Sequence, residues 1–553
     1  MTKWKGRVAS AAPYMLFATV SVTALSTGMA QAETISTAVS GPQILIVGEG
    51  HEITTTGIVS LSSSSDAAVR IDGDFGNTFT NNGAILLTGT SVETATGLLV
   101  SGDLLAGGEI INNGTITLEQ HAENSVVSNG IIVGGVEGLI SNTGTITLTH
   151  DLTEQYIRDD ISGAAISVGS LGGSGEINNS GTISVGGSAS SSVSVSGIYV
   201  NNDSHGEINN SGTIEVFAET ARSFAYGYGI YVNGDVSETG SILNAGTISV
   251  DAVVDREEGW VSAYGIFVYG DLDGTLTNTG TIEATGTATS GDPAYSYGIF
   301  VIGDVSNTLS NSGTISASAE AFTGTAEAYG IAVFGEIETG GSVTNSGTID
   351  VVARVESDSE ALAYGLYING GLRAGSSVSN TGTIDAYAQN AEHEAYAYGI
   401  FVGETVDAGA TLSNSGAMNV TALASSGLTA FATGILVGGN LAGIATNSGT
   451  ISVVAEGSYS ATAYGVEIEG GLDGTFENSG TIETYAESTD ASVDSSGIYV
   501  QGGIDGSLIN SGTIIADGSG YSSAEASGMY LVDGVTGTVL NSGLIQVTAV
   551  DEP

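Results

Sequence analysis

Cysteine is absent from all 553 residues, which excludes disulfides, thiolate metal sites and a thiol nucleophile. Proline occurs only four times beside 84 glycines, and the glycines follow no three-residue period, so the chain is neither collagen nor a polyproline rod. Lysine is confined to Lys3 and Lys5. Beyond residue 32 the cations are Arg70, Arg158, Arg222, Arg256, Arg354 and Arg373, six against 60 carboxylates, a balance of −54. Such a surface repels phosphate and excludes nucleic acid as a partner. The same stretch has no run of about 20 apolar residues, hence no transmembrane segment in the mature chain. It also shows no helical periodicity.

What remains is strand and turn chemistry: Thr, Ser, Val, Ile and Ala punctuated by Gly. The first 32 residues stand apart. Lys3, Lys5 and Arg7 precede an apolar stretch from Ala12 to Leu25, and Ala30-Gln31-Ala32 precedes Glu33. This pattern predicts a secretory signal peptide over 1–32, cut after Ala32, and an exported mature protein. Export without cysteine means that stability has to come from packing.

The packing unit is a repeat. Asn112-Asn113-Gly114-Thr115-Ile116 recurs, with looser copies, fifteen times between Gly83 and Gly543, about every 33 residues. A period of that length marks a solenoid or a similar array. A second landmark precedes each copy, as in Tyr264-Gly265-Ile266-Phe267-Val268. From its glycine to the pentapeptide glycine is 15 residues in 265–280 and 298–313, and 17 in 229–246 and 330–347. A difference of two preserves side-chain parity along a strand. The other arm varies from 14 to 20 residues and is rich in Ala, Ser, Glu and Asp. Insertions thus collect on one side, where loops commonly carry binding.

These features predict an all-β parallel β-helix (β-solenoid) of about fifteen repeats of roughly 33 residues. Residues 33–60 form an N-terminal cap or first strands, 61–550 the array and 551–553 a tail. The spacing leaves open whether one period makes one coil or two. In the pentapeptide, Asn is expected to form an amide ladder between coils, Gly to take turn angles barred to other residues, and Ile to stack in the core.

No catalytic constellation emerges. His51, His121, His150, His205 and His393 are dispersed, and no lysine survives to act as a base. Acidic turns such as Asp72-Gly73-Asp74 and Asp271-Leu272-Asp273-Gly274 match no EF-hand or nonapeptide calcium array. The expectation is therefore a non-enzyme with no catalytic or metal-binding residues and no cofactor. The aromatics are the candidates for a site. Tyr228, Tyr264, Tyr297, Tyr329, Tyr364 and Tyr398 share one position and the parity of the core Ile and Val, which predicts an interior or edge stack. Three residues on runs a second row, with Tyr231, Phe267, Phe300, Tyr367 and Phe401 as partner-binding candidates, broken by Ala332, Leu436 and Glu467. Its opposite parity makes it an exposed docking stripe or a strip beneath the variable arm.

Asn-Ser-Gly-Thr-Ile repeats behind a signal peptide resemble the passenger regions of bacterial autotransporters, over about residues 61–550. The resemblance implies a right-handed parallel β-helix on the surface or outer membrane of a Gram-negative cell, serving adhesion or self-association. Its partners would be a glycan, a cell-surface receptor or further copies of the chain. An autotransporter also carries a translocator barrel, whereas this sequence stops at Asp551-Glu552-Pro553, so anchoring would run through a translocator outside these residues. The alternative on the same scaffold is a carbohydrate-active enzyme, a polysaccharide lyase or hydrolase.

Overall fold

The computed structural model describes residues 33–551 apart from 46–48, 63–66, 90–93, 122–124, 152–159, 256–258 and 426–427. The expected signal peptide (1–32) and the last two residues of the tail lie outside the described residues. Among the described residues every regular element is a strand, and the strands pair in parallel with their counterparts one period away. One coil reads, for instance, Trp260–Val268, Thr275–Asn278 and Thr281–Ala288, then Ala294–Val301 opens the next. Among the described residues the first face holds seventeen short strands, fifteen of them ending on the pentapeptide Asn, the second holds seventeen, most of them beginning on its Thr, and the third holds sixteen, among them those with Tyr-Gly-Ile. A single-residue bridge column, including Val236, Leu272 and Val305, marks the corner between the third and first faces.

Asn278 pairs with Asn311 and Asn311 with Asn345, so each period is one coil. The ladder starts at Thr34, paired to Glu52. Inward positions of the three faces make one continuous core; Ile282, Leu276 and Ile266 are all fully buried. Burial of each such side chain is worth about 1.5–3 kcal/mol, so stability is distributed along the rod.

The expected amide ladder is present throughout. From Asn81 to Asn541, each Asn donates its Nδ2 to the Oδ1 of the next at 2.7–2.9 Å, through Asn112, Asn278, Asn311 and Asn345. The glycine has a different role from the expected one. No pentapeptide glycine has a positive φ; the positive values fall elsewhere, as at Gly340 and Gly375. Instead, a Cβ on Gly280 would collide with the carbonyl oxygen of Gly246 in the preceding coil, and one on Gly313 with that of Gly280. Glycine is required here for close approach of backbones rather than for a turn angle.

Candidate functional site

The third face departs from simple alternation. In Ala294–Val301, Ala294, Ile299 and Val301 belong to the core. A Cβ on Gly298 would strike Ile315 of that core. Gly298 and Ile299 therefore both point inward, and the ladder pairs Tyr264 with Tyr297 and Ile266 with Ile299 while skipping the glycines between. This local break puts Tyr297 and Phe300, three residues apart, on the same outer side. Their ring centroids lie 4.5 Å apart, a contact that regular alternation forbids. The tyrosine row is thus stacked as expected but outside the solenoid core, in a separate aromatic cluster. Parity counting from sequence failed at the glycine.

Two columns result. Tyr228, Tyr264, Tyr297, Tyr329, Tyr364 and Tyr398 stack at 4.8–5.0 Å with ring planes within 6° of parallel. Beside them, Tyr231 to Phe267 is 4.8 Å, Phe267 to Phe300 5.2 Å and Tyr367 to Phe401 5.0 Å. Tyr231, Phe267 and Phe300 are buried, with Phe300 only 3% exposed, whereas Tyr367 and Phe401 are half-buried. The structure brings all five candidates into one slab. Their cover is mainly the tyrosine column, and Tyr295 and Leu362 from the end of the variable arm also pack against the cluster. Where Ala332 breaks the row, Phe334 fills the gap, edge-on to Phe300 at 4.8 Å. Sequence reasoning missed it because it lies two residues off the column. Towards one edge, Phe224 and Trp260 are about 40% exposed and meet edge to face.

Because the rings consume each other's faces, the slab offers mainly edges and hydroxyls. Tyr231 donates to Asn233 at 2.7 Å and Tyr329 to Glu327 at 2.7 Å. Burial, then the neighbouring ionisable side chains, holds the Tyr297 and Tyr329 phenols well above their ordinary pKa, so they stay neutral donors. The row changes character at Glu467, which takes the place of an aromatic. Burial first, then the charge of Glu469, pushes its carboxyl to about 8, partly offset by a 3.2 Å bond from Thr433 Oγ1. Beside it Tyr464 donates to Asp494 at 2.8 Å and stacks on Tyr499 at 4.8 Å. Its surroundings thus favour the protonated form of Glu467.

Elsewhere, the acidic turns lock the backbone: Asp235 Oδ1 accepts the amide of Asp271, and Asp271 Oδ1 that of Asp304. Among the described residues no three His, Asp or Glu side chains converge as metal ligands. An open groove of about 380 Å³ on the second face is lined by Glu320, Phe322, Arg354 and Gln389. Arg354 lies 3.4 Å from Glu320 and over the ring of Tyr387. His150 is buried in the core, where desolvation lowers its pKa to about 4 despite a bond to Gly186 O.

Residues 33–164 match the family of hyphally regulated cell wall protein N-terminal domains. No curated protein and no solved structure gives a significant match to the chain. The broader match covers residues 103–295 and 338–552 and corresponds to the BigA third pectate lyase-like domain. It overturns the expectation of a non-enzyme. That expectation rested on a search for known catalytic constellations, and the scaffold matched is described as lyase-like. The match spans well over half of the sequence on one continuous solenoid, and the chain belongs to the BigA third pectate lyase-like domain family.

Proposed function

We propose that this protein is an exported, surface-displayed β-solenoid that attaches cells to a surface or to each other through the outer aromatic face of its third sheet. The observation that carries this reading is the slab itself: aromatic rings run over consecutive coils outside the core and pack chiefly on one another. A rod needs no such layer to fold, since the inward Ile, Leu and Val already form a continuous core. The slab's open margin is Phe224 and Trp260, with Tyr367 and Phe401 half-buried, and exposed apolar patches rimmed by polar groups mark interaction sites. Surface display is supported by the match of residues 33–164 to a cell wall protein domain, and export by the leader-like first 32 residues. The partners are a glycan, a cell-surface receptor or further copies of the chain.

The test is cell attachment and clumping with Trp260 and Phe224, or Tyr367 and Phe401, replaced by Ser in the full chain. Attachment should fall while circular dichroism stays unchanged. Unaltered attachment by both folded double variants would sink the reading.

A second reading, polysaccharide cleavage, is favoured by the family match and by Arg354 in the groove of the second face. Release of unsaturated sugars from acidic polysaccharide, lost on Arg354→Ala, would support it.

A further inference from the structure

We propose that the tyrosine column from Tyr228 to Tyr398 is the floor of a groove for a β-1,4-linked polysaccharide of amino sugars, laid along the solenoid axis with one sugar per coil. This rests on the adhesive reading and names its ligand. The column repeats every 4.8–5.0 Å because one ring is contributed per coil. An extended β-1,4-linked chain advances by one sugar over nearly the same distance and turns each sugar over relative to the last, so like contacts recur in every second coil.

The contacts are hydrogen bonds. Tyr297 and Tyr364 are 6% and 8% exposed, and their ring faces are taken by neighbours in the column. Among the described residues their hydroxyls have no protein partner, yet they are not among the fully buried unsatisfied atoms. The exposed fraction of each side chain is therefore its phenol tip, a donor and acceptor waiting at the groove floor. These two tips stand two rungs apart with Tyr329 between them, which suits a ligand presenting the same hydroxyl or amine on every second unit.

Charge selects among polysaccharides. Glu327, Glu360 and Glu394 lie on successive coils beside the tyrosines; Tyr329 donates to Glu327, and Tyr396 to Glu394. Third-face strands from Val126 onward carry no Lys or Arg. Burial, then the charge of Glu394, raises the proton affinity of Glu360, a repulsion that a bound ammonium relieves. A polyuronate would meet like charge along the Tyr329–Tyr398 half of the groove, whereas protonated amino sugars would meet opposite charge there.

The test is calorimetric titration of the full chain with glucosamine oligomers of increasing length up to six sugars, against cello-oligomers and oligogalacturonates. Glucosamine oligomers should bind tightest, with affinity rising with length and falling as salt is raised. Tyr297→Phe and Tyr364→Phe keep the rings and remove the hydroxyls, and each should weaken the hexamer about fivefold with the fold unchanged. Binding of cello-oligomers or oligogalacturonates as tight as that of glucosamine oligomers, or no effect of either Phe variant, overturns the proposal. If no oligomer binds while attachment still depends on Trp260 and Phe401, this ligand is wrong and the adhesive reading survives. If oligomers bind but attachment ignores those residues, the adhesive reading fails instead.

Discussion

Replacing Asn311 with Ala should open the rod locally. Asn311 is 1% exposed, accepts from Asn278 Nδ2 at 2.8 Å and donates to Asn345 Oδ1 at 2.8 Å and Thr348 O at 3.3 Å. Asn278 Nδ2 keeps a fallback at Thr314 O, whereas Asn345 Oδ1 loses its ladder donor in a dry interior. Two lost amide bonds at about 1 kcal/mol each, plus about 1–3 kcal/mol for the stranded acceptor, give roughly 3–5 kcal/mol. Coils contact only their neighbours, so the loss should stay near the break. Hydrogen exchange is the assay. Amides of Thr308–Asn311, Thr314–Ala321 and Ser342–Asn345 should lose protection by roughly two to four orders of magnitude. Strands near Asn112 and Asn478 should not change. Ser312→Ala, at the exposed neighbouring position, is the control and should shift protection by less than about 0.5 kcal/mol. Equal effects of the two substitutions, or a loss spread over the whole rod, would refute the ladder as a local clamp.

Gly280→Ala should cost more than about 3 kcal/mol, because backbone cannot give way as a side chain can. Gly340→Ala, where φ is +88° and space is open, should cost only about 1–2 kcal/mol of strain; comparison of thermal midpoints checks the order. Glu467, raised to about 8 from 4.5, favours the folded state while protonated, so its contribution is full below about pH 4.5 and fades towards pH 8. The span is about 4–5 kcal/mol, and Glu467→Gln should flatten that part of a urea-midpoint profile. His150, lowered to about 4, acts in the opposite direction. Its stability is full above about pH 6.5 and falls by about 3 kcal/mol as pH drops to 4, a slope that His150→Gln should remove.

The repeat, its register and the buried Ile column were legible because periodicity alone sets them: Ile282 stacks on Ile315 whatever the surroundings. The Asn ladder was legible for the same reason. The role of Gly280 was not, since the carbonyl it approaches belongs to a residue 34 positions earlier, whose height only the stacked coils reveal. The two aromatic rows read as opposite faces because alternation was carried across Gly298, where two successive positions turn inward. Glu467 looked like a mere interruption of the row. Its proton affinity depends on Glu469, Asp494 and the depth of burial, which spacing does not encode. The non-enzyme expectation failed because dispersed histidines count against familiar active sites only, and the family match places the chain on a lyase-like scaffold.

The Asn ladder also gives the rod a sense of direction. Every amide from Asn81 to Asn541 hands its hydrogen the same way, towards the C-terminal end. Rotating a single amide would set carbonyl against carbonyl on one side and NH2 against NH2 on the other, so orientation is shared by the whole row. The side-chain dipoles therefore add along the axis, and the solenoid is electrically a polar filament with unlike tips. Two such filaments lying side by side are equivalent only when parallel or antiparallel by choice of partner, not by accident of shape. An Asn-to-Ala break would do more than loosen one coil: it would interrupt that shared polarity, leaving each segment's sense held by the bonds from its amides to the Thr carbonyls of the next coil.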